Sequence, residues 1–503
     1  MRVLLILAGR RTWFKWVSPP LGILQLAGYL RNRLKNIEIR VVDQRATNYT
    51  LDEVLSRAAE FAPDVVGISC TTTSSDTLGE LSSGIRRTLP KALLMIGGPH
   101  ASAYGAELMD TTCADCVVVG EGELTCEHVL QIWQEGSRDF SAVPGLVWRS
   151  AEGECLTNPG PSPVLQDLDA LPFPAYDLID LRTYWRLWSM SMVPPPRRYA
   201  AMFTSRGCPY GCIYCHDIFG KRFRAQSPER IVDELEHYVR TYGIKEVEFF
   251  DDIFNLQGRR VIEFSELVRR RNLRVSLYFP NALRTDILTP DVAEALADAG
   301  TRMSAFALES GSPRIQQLVC KHLNIPKYLD GVAMLAKRRV FTYGFVMFGF
   351  PTETKADMQM TVDVLRQSQL HAAYAWIVTP YPKTELFDVA VRLHPGKMAD
   401  IGYAGTDYSV MPCVNLSEVS DEVLTAYMRK AYSALFLNPS RALRIVRDFP
   451  RPWSVWRYAP GVLETLTRSR HKYSRSQEAA AGGSKNWIAR GGDRVSVAEQ
   501  SGV

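Results

Sequence analysis

The sequence predicts an α/β chain in two parallel-sheet halves. A doubly wound sheet of the Rossmann or flavodoxin kind comes first, then a full or partial TIM-type (β/α)6 barrel, then a helical C-terminal region. Three observations carry that prediction. Short apolar runs recur between helical stretches without period-two alternation, as strands buried on both faces require. The alternation occurs twice, on either side of a proline-rich stretch (Pro159, Pro161, Pro163, Pro172, Pro174, then Pro194–Pro195–Pro196) that reads as an interdomain linker. Finally, 46% apolar and 22% charged residues in a chain of 503 are globular values for two to four domains. They exclude wholesale disorder, collagen-like repeats and coiled coil.

The elements of the first half follow in order. Val3–Leu7 is an apolar strand, and Leu21–Leu34 has helical spacing. Ile37–Val42 is a second strand ending at Asp43, and a helix over Leu51–Ala59 leads to the strand Val65–Ser69. A helix over Leu78–Thr88 leads to Ala92–Ile96, and Cys116–Val119 precedes a helix over Glu123–Trp133. Parallel sheets bind ligands at the carboxyl ends of their strands. Here those ends read Asp43, Ser69–Thr73, Gly97–Gly98–Pro99–His100 and Gly120–Glu121–Gly122–Glu123. Small residues at several strand ends let a large flat ligand approach the backbone. No G-x-G-x-x-G follows the first strand; Ala8–Gly9–Arg10 stands there instead.

In the second half, strands are expected over Tyr199–Thr204, Glu246–Phe250, Arg274–Phe279, Met303–Leu308, Tyr343–Phe348 and Ala373–Val378. Helical stretches separate them (Pro228–Tyr242, Arg259–Arg271, Pro290–Ala299, Pro313–Val319, Ile325–Lys337), with Lys355–Gln369 before the last strand. The resulting boundaries are 1–145 for the first domain, 146–195 for the linker, 196–390 for the barrel, 391–473 for the helical region and 474–503 for a Ser-, Gly- and Ala-rich tail expected to be disordered.

Charge and thiols are unevenly placed. Lys and Arg outnumber Asp and Glu by 59 − 54 = 5. Between Ser440 and Ser476 nine basic residues face Asp448 and Glu464, so the excess is local. Arg441, Arg444, Arg447 and Arg451 recur at helical spacing, and Trp453 and Trp456 follow. The expected reading is a solvated face, with weak contact to a membrane surface as the alternative. No nucleic-acid partner is expected. The N-terminal apolar run, Val3 to Ala8, is shorter than a signal-peptide core, and no stretch reaches the ~18 apolar residues of a spanning helix, so the chain reads as cytoplasmic. Ten cysteines are too dilute for a disulfide scaffold.

Three of them stand together in Ser205–Arg206–Gly207–Cys208–Pro209–Tyr210–Gly211–Cys212–Ile213–Tyr214–Cys215, just after the first barrel strand. A loop with two glycines and a proline can wrap a compact inorganic cluster and aim three thiolates at it. With only three local cysteines, one iron of a [4Fe–4S] cube stays open for a non-protein ligand. A structural zinc site with His216 as fourth ligand is the competing reading, although Cys215 and His216 are immediate neighbours. Cys113–Ala114–Asp115–Cys116 lacks a partner pair and reads as buried thiols. Cys320 and Cys413 read mainly as buried, with methyl or hydrogen transfer as the alternative.

This C-x3-C-x2-C loop, with an aromatic before the last cysteine, resembles that of the radical S-adenosylmethionine (SAM) superfamily. Phe249–Phe250–Asp251–Asp252 is similar to its second-strand segment, Glu309–Ser310–Gly311–Ser312 to its fourth-strand segment, and Gly344 through Gly349–Phe350–Pro351–Thr352–Glu353 to its fifth-strand adenine segment. The first half resembles the cobalamin-binding domain fused to one large branch, which contains methyltransferases and the anaerobic porphyrin-ring cyclases. The resemblance implies three cofactors: a [4Fe–4S] cluster held by Cys208, Cys212 and Cys215, SAM, and cobalamin. It implies SAM contacts from Asp251 or Asp252, Arg284, Glu309, Val346 and Gly349. It implies cobalamin contacts from Asp43, Ser69, Gly97, Gly98, Gly120, Glu121 and Gly122. No Asp-x-His-x-x-Gly loop occurs, so cobalamin bound without a protein histidine is implied, and His100 is expected to be buried or at a cofactor edge. The partners implied are a small-molecule substrate and an external electron donor of flavodoxin or ferredoxin type.

The functional expectation is methylation of an unactivated carbon or phosphorus by an enzyme that splits SAM to a 5′-deoxyadenosyl radical. The alternatives are radical cyclisation, rearrangement or oxygenation, and a non-enzymatic electron carrier or cobalamin sensor. A methylthiotransferase is a weaker variant, because the three further cluster cysteines of its N-terminal domain are absent.

Overall fold

The computed structural model describes residues 1–9, 16–399, 401 and 414–458, and the statements below concern those residues. Arg10, Cys413 and the basic residues beyond Tyr458, with the 474–503 tail, lie outside them.

The first sheet contains β1 (Arg2–Leu7), β2 (Glu38–Asp43), β3 (Val65–Ser69), β4 (Leu93–Gly97), β5 (Cys116–Val117), β6 (Val147–Arg149) and β7 (Cys155–Thr157), in the order β2-β1-β3-β4-β5-β6-β7. The first five are parallel, and β6 and β7 add to the edge in antiparallel fashion. The order 2-1-3-4-5 is the flavodoxin-like doubly wound topology. Register draws the strand ends into one line: Leu7 is level with both Asp43 and Ser69, and Ser69 is level with Gly97. Helices cover both faces, giving an apolar core on each side of the sheet.

β6 and β7 fall within the stretch expected to be linker. They are only three residues each, too short for periodicity to register, and the sheet therefore runs on to Thr157. The rest of the proline-rich stretch is pinned at both ends. The Tyr184 hydroxyl donates to Asp43 Oδ2 at 3.0 Å, and Tyr176 exchanges hydrogen bonds with the Ala201 backbone at 2.8 and 3.0 Å.

The second sheet is formed by β8 (Tyr199–Met202), β11 (Glu246–Phe249), β12 (Ser276–Leu283), β13 (Thr301–Glu309), β14 (Phe341–Phe348) and β15 (Ala372–Ile377). They are all parallel and run in sequence order. The two-residue strands β9 (Ser205–Arg206) and β10 (Arg224–Ala225) form a separate antiparallel pair above β8. β8 and β15 are the two edges, so the barrel is partial. Helix Asp421–Phe436 packs along β15, where Ala375 N–H donates to the Tyr432 hydroxyl at 3.1 Å.

The amino end of the barrel is closed by polar groups. Arg197, 1% exposed, binds Glu246, Glu248 (2.6 Å) and the hydroxyls of Ser189 and Ser191 (both 2.5 Å). Such an interior charge persists because its carboxylate partners are close, although Arg197 Nη2 and Glu248 Oε2 find no hydrogen-bond partner. The C-terminal arginines correct the sequence reading of a solvent-facing ridge. Arg441 is 1% exposed and donates to the carbonyls of Leu365, Arg366 and Ser368. Arg444 binds the Gln369 carbonyl at 3.2 Å, and Arg447 binds Asp448. Arg451 reaches Glu246 and the carbonyls of Pro194 and Pro196. Arg441, Arg444 and Arg451 staple the helical region to the barrel, while Arg447 stays exposed and pairs with its own neighbour Asp448. No helix among the described residues is long and apolar enough to cross a membrane.

Candidate functional site

The cysteine loop leaves β9 through Gly207. At φ +85° a Cβ there would collide with the Arg222 carbonyl, so only glycine fits. Cys208 N–H is held by the Gly220 carbonyl at 3.2 Å, and Cys215 N–H by the Cys212 carbonyl at 3.1 Å. Ile213 anchors the loop from below, donating to Val319 and accepting from Leu386. All three cysteines are free thiols. As a residue Cys215 is exposed, but its thiol sits among close neighbours that shield it from water. That desolvation, with Cys212 and Cys208 close by, pushes its thiol up to about 12. Crowded thiols that raise one another suit a cationic guest. Among the described residues no three His, Cys, Asp or Glu side chains converge at the spacing of a single metal ion.

A cavity of about 1950 Å³ begins in the N-terminal domain and ends inside the barrel. Ligand pockets commonly measure about 300–1,000 Å³, so this one has room for more than a single small molecule. Its first arm is an apolar slot between the sheet (Leu5, Gly67, Met95) and two helices (Leu30, Cys126, Leu130). The slot opens at the strand ends, where Ser69, Gly97, Gly98, Gly120, Glu121 and Gly122 all line the wall. Gly98 has φ +90°, and a Cβ would stand 2.6 Å from Ser69 Oγ. Opposite lie Phe203, Arg206, His216, Phe219, Gln226 and Asp252 of the barrel. Gln226 is 3% exposed, and its Oε1 has no hydrogen-bond donor. An orphaned acceptor on this wall fits a ligand that brings amide N–H groups, as the carboxamide-edged corrin of cobalamin does.

The two carboxylates after β11 separate. Asp251 is 2% exposed and turned away from the cavity; it accepts from Thr204 N–H, Thr204 Oγ1 and Ser205 Oγ, with Arg260 behind it. Asp252 lines the cavity, its carboxyl raised by burial and countered by His216. Asp43 also lies off the wall. It caps the turn Gln44–Thr47 through the N–H groups of Arg45 and Ala46.

The remaining expected SAM contacts are already occupied within the protein. Arg284 pairs with Asp286 at 2.8 Å and stacks 3.6 Å from the Tyr210 ring of the cysteine loop. Glu309 pairs with Lys321 at 3.3 Å, and Lys321 also donates to Tyr214 of that loop at 3.4 Å. Burial raises the Glu309 carboxyl, and Lys321 opposes it. Val346 is wholly buried in the barrel core, level with Glu309 and Ala375. Gly349 N–H and Phe350 N–H both donate to Glu353 Oε2, at 2.6 and 3.1 Å.

Glu353 supports a pH prediction. Burial raises its carboxyl to about 8, with Asp357 adding to the shift and the two backbone donors and Arg314 opposing it. A folded-state value above the unfolded 4.5 gives stability that is full below pH 4.5 and is lost as pH rises toward about 8. Glu353→Gln, a mimic of the protonated acid, is therefore expected to flatten that decline. Melting temperatures of both proteins across this range check it, and parallel curves would refute it.

His100 is buried and off the cavity wall, with Nδ1 3.3 Å from Thr72 Oγ1 and its imidazole pushed down to about 4 by burial. Cys116 is core, and Cys320 is partly buried against the cluster that also receives Tyr214.

Sequence reasoning missed the contact that joins the two halves. Arg206 donates to Glu121 and Glu123, both at 2.6 Å, and Arg224 also grips Glu121. All four are at least nine-tenths buried. The only sequence hint was two acids in a glycine-rich strand end and a basic residue two positions before Cys208.

Fold and site together define a two-domain enzyme in which a slot at the strand ends of the first sheet faces the residues that flank a three-cysteine loop. Residues 14–130 match the B12 binding domain and residues 202–365 match the Radical SAM superfamily. The chain is 30% identical to an uncharacterized methyltransferase of Pyrococcus horikoshii over 450 residues, 87% of this chain and 93% of that one. It is 25% identical to the cytidylyl-2-hydroxyethylphosphonate methyltransferase of Streptomyces wedmorensis, over 74% of this chain and 78% of that one. Its fold is similar to that of the radical S-adenosylmethionine methyltransferase TsrM from Kitasatospora setae, solved with cobalamin and a [4Fe–4S] cluster bound. There the TM-score is 0.66 at 18% identity, over 95% of this chain and 99% of that one. The chain belongs to the radical SAM superfamily, in the branch that carries an N-terminal B12-binding domain.

Proposed function

We propose that the chain is a cobalamin-dependent radical SAM methyltransferase acting on an unactivated carbon or phosphorus of a small molecule. The observation that supports this most is the continuity of the cavity from the B12-domain strand ends to Arg206, His216 and Asp252, the first two of which flank the cysteine loop on either side. In this reading Cys208, Cys212 and Cys215 hold three irons of a [4Fe–4S] cluster and leave the fourth for the amino and carboxylate groups of SAM. When bound, the cluster would supply the electron that splits the sulfonium, and cobalamin the cobalt from which a methyl group is transferred.

Asp252, on the wall beside His216, would accept a hydrogen bond from the SAM ammonium. Arg284 and Glu309–Lys321 would act through the loop, bracing Tyr210 and Tyr214. The glycines at 97, 98, 120 and 122 would let the corrin lie against backbone, with Gln226 accepting from its edge. An external one-electron donor is required.

The test is anaerobic incubation of reconstituted protein with SAM and a reductant. Both 5′-deoxyadenosine and S-adenosylhomocysteine are expected. Absence of 5′-deoxyadenosine would overturn the radical reading, and its appearance without S-adenosylhomocysteine would favour cyclisation or rearrangement over methyl transfer.

A further inference from the structure

The second arm of the cavity lies away from the thiol cup and differs from it in chemistry. Met303, Phe341, Tyr343 and Tyr374 form its barrel side. Phe436, Phe449 and Trp456 of the C-terminal helical segments form the other. The charged residues on the cavity wall sort by position. Arg45, Glu121, Glu123, Arg206, His216 and Asp252 all stand at the B12-domain and cysteine-loop end. At the aromatic end the charged group is Arg457, which is directed to the Pro195 carbonyl at 3.3 Å.

From this arrangement we propose that the aromatic arm is the substrate chamber and that it selects a bulky, uncharged, largely apolar molecule. The inference rests on the methyltransferase reading for what happens to that molecule. Burying an ionised group among these rings would leave it unpaired at a cost of several kcal/mol, whereas apolar surface gains by the same burial. Aromatic side chains present wide faces with little conformational freedom to lose, which suits a rigid or extended hydrocarbon skeleton. The cavity is continuous from these rings to Asp252 and His216, so a molecule seated on them can present one atom beside the residue that follows Cys215. The C-terminal helices thereby set specificity: they complete the wall that the partial barrel leaves open beside β15.

The experiment uses protein reconstituted with cluster and cobalamin, so that the first arm is filled. Nile red, an uncharged planar apolar probe, is titrated and followed by its emission, with dodecanol and dodecanoate as competitors. Saturable binding is expected, displaced by dodecanol at least about tenfold more effectively than by dodecanoate, since tenfold is only about 1.4 kcal/mol. Ala372→Phe, at a partly buried position packed with Phe341, Tyr343 and Phe449, fills the chamber and is expected to weaken the probe about tenfold, as is Trp456→Ala, whose side chain is 69% exposed and not needed for the core. A Leu443→Ser/Trp453→Ser protein, altered on the exposed surface nearby, is expected to bind as the wild type does. Equal competition by dodecanoate would overturn the proposal, as would binding untouched by Trp456→Ala or abolished by the surface pair. The failures are separable: formation of 5′-deoxyadenosine without selective probe binding sinks the chamber alone, and probe binding without it sinks the methyltransferase reading alone.

Discussion

Alanine at any one of Cys208, Cys212 or Cys215 is expected to abolish both cluster retention and SAM cleavage. Each thiol belongs to one loop whose backbone is fixed at Cys208 and Cys215, so a neighbour cannot swing in to replace a lost ligand. The other free thiols lie elsewhere in the sequence, Cys320 being packed against the same apolar cluster as Tyr214. Two ligands do not retain a cube that three hold with one iron already open. The measurement is iron and sulfide per chain after anaerobic reconstitution, with 5′-deoxyadenosine as the second readout. Cys155→Ala, at an exposed position on β7, is the control that keeps both. Full iron content in any of the three single variants would refute the assignment.

The second large effect belongs to the buried quartet Arg206, Arg224, Glu121 and Glu123. Its formal charges cancel, two against two. Arg206→Met leaves two buried carboxylates facing one guanidinium, and breaking a buried pair from one side typically costs about 3–5 kcal/mol. Adding Glu123→Gln restores the balance, because Glu121 and Arg224 remain matched. The double variant is therefore expected to be more stable than the single one, a reversal that simple loss of contacts would not produce. Denaturant midpoints of the wild type, both single variants and the double variant decide it. Additive losses would show that the charge balance is unimportant.

Much of the scaffold was legible because strand ends announce themselves. The change from apolar residues to Asp43, Ser69 and Gly97 marked three adjacent strand termini, and the register sets them side by side. The cysteine loop was legible because its spacing is local. Partnerships between distant residues were not. Nothing in the chain ties Glu121 to Arg206, which is 85 positions away. Helical spacing placed Arg441, Arg444, Arg447 and Arg451 on one face but could not say that Arg441, Arg444 and Arg451 turn to backbone carbonyls while Arg447 stays exposed. A pair of adjacent carboxylates gave no sign of which one faces the cavity, since neighbours at a strand end point to opposite sides. Thr204, Ser205 and Arg260 claim Asp251, and only the fold brings those three together.

The quartet also bears on how the protein is assembled. Arg206 lies in the two-residue strand β9, and the next residue, Gly207, is locked beneath Arg222 at the mouth of the cysteine loop. The same short segment thus serves as the keystone of the thiol cup and as the latch of the N-terminal domain. Because Arg206 and Gly207 are neighbours, a displacement of the N-terminal domain is passed directly to the mouth of the cysteine loop.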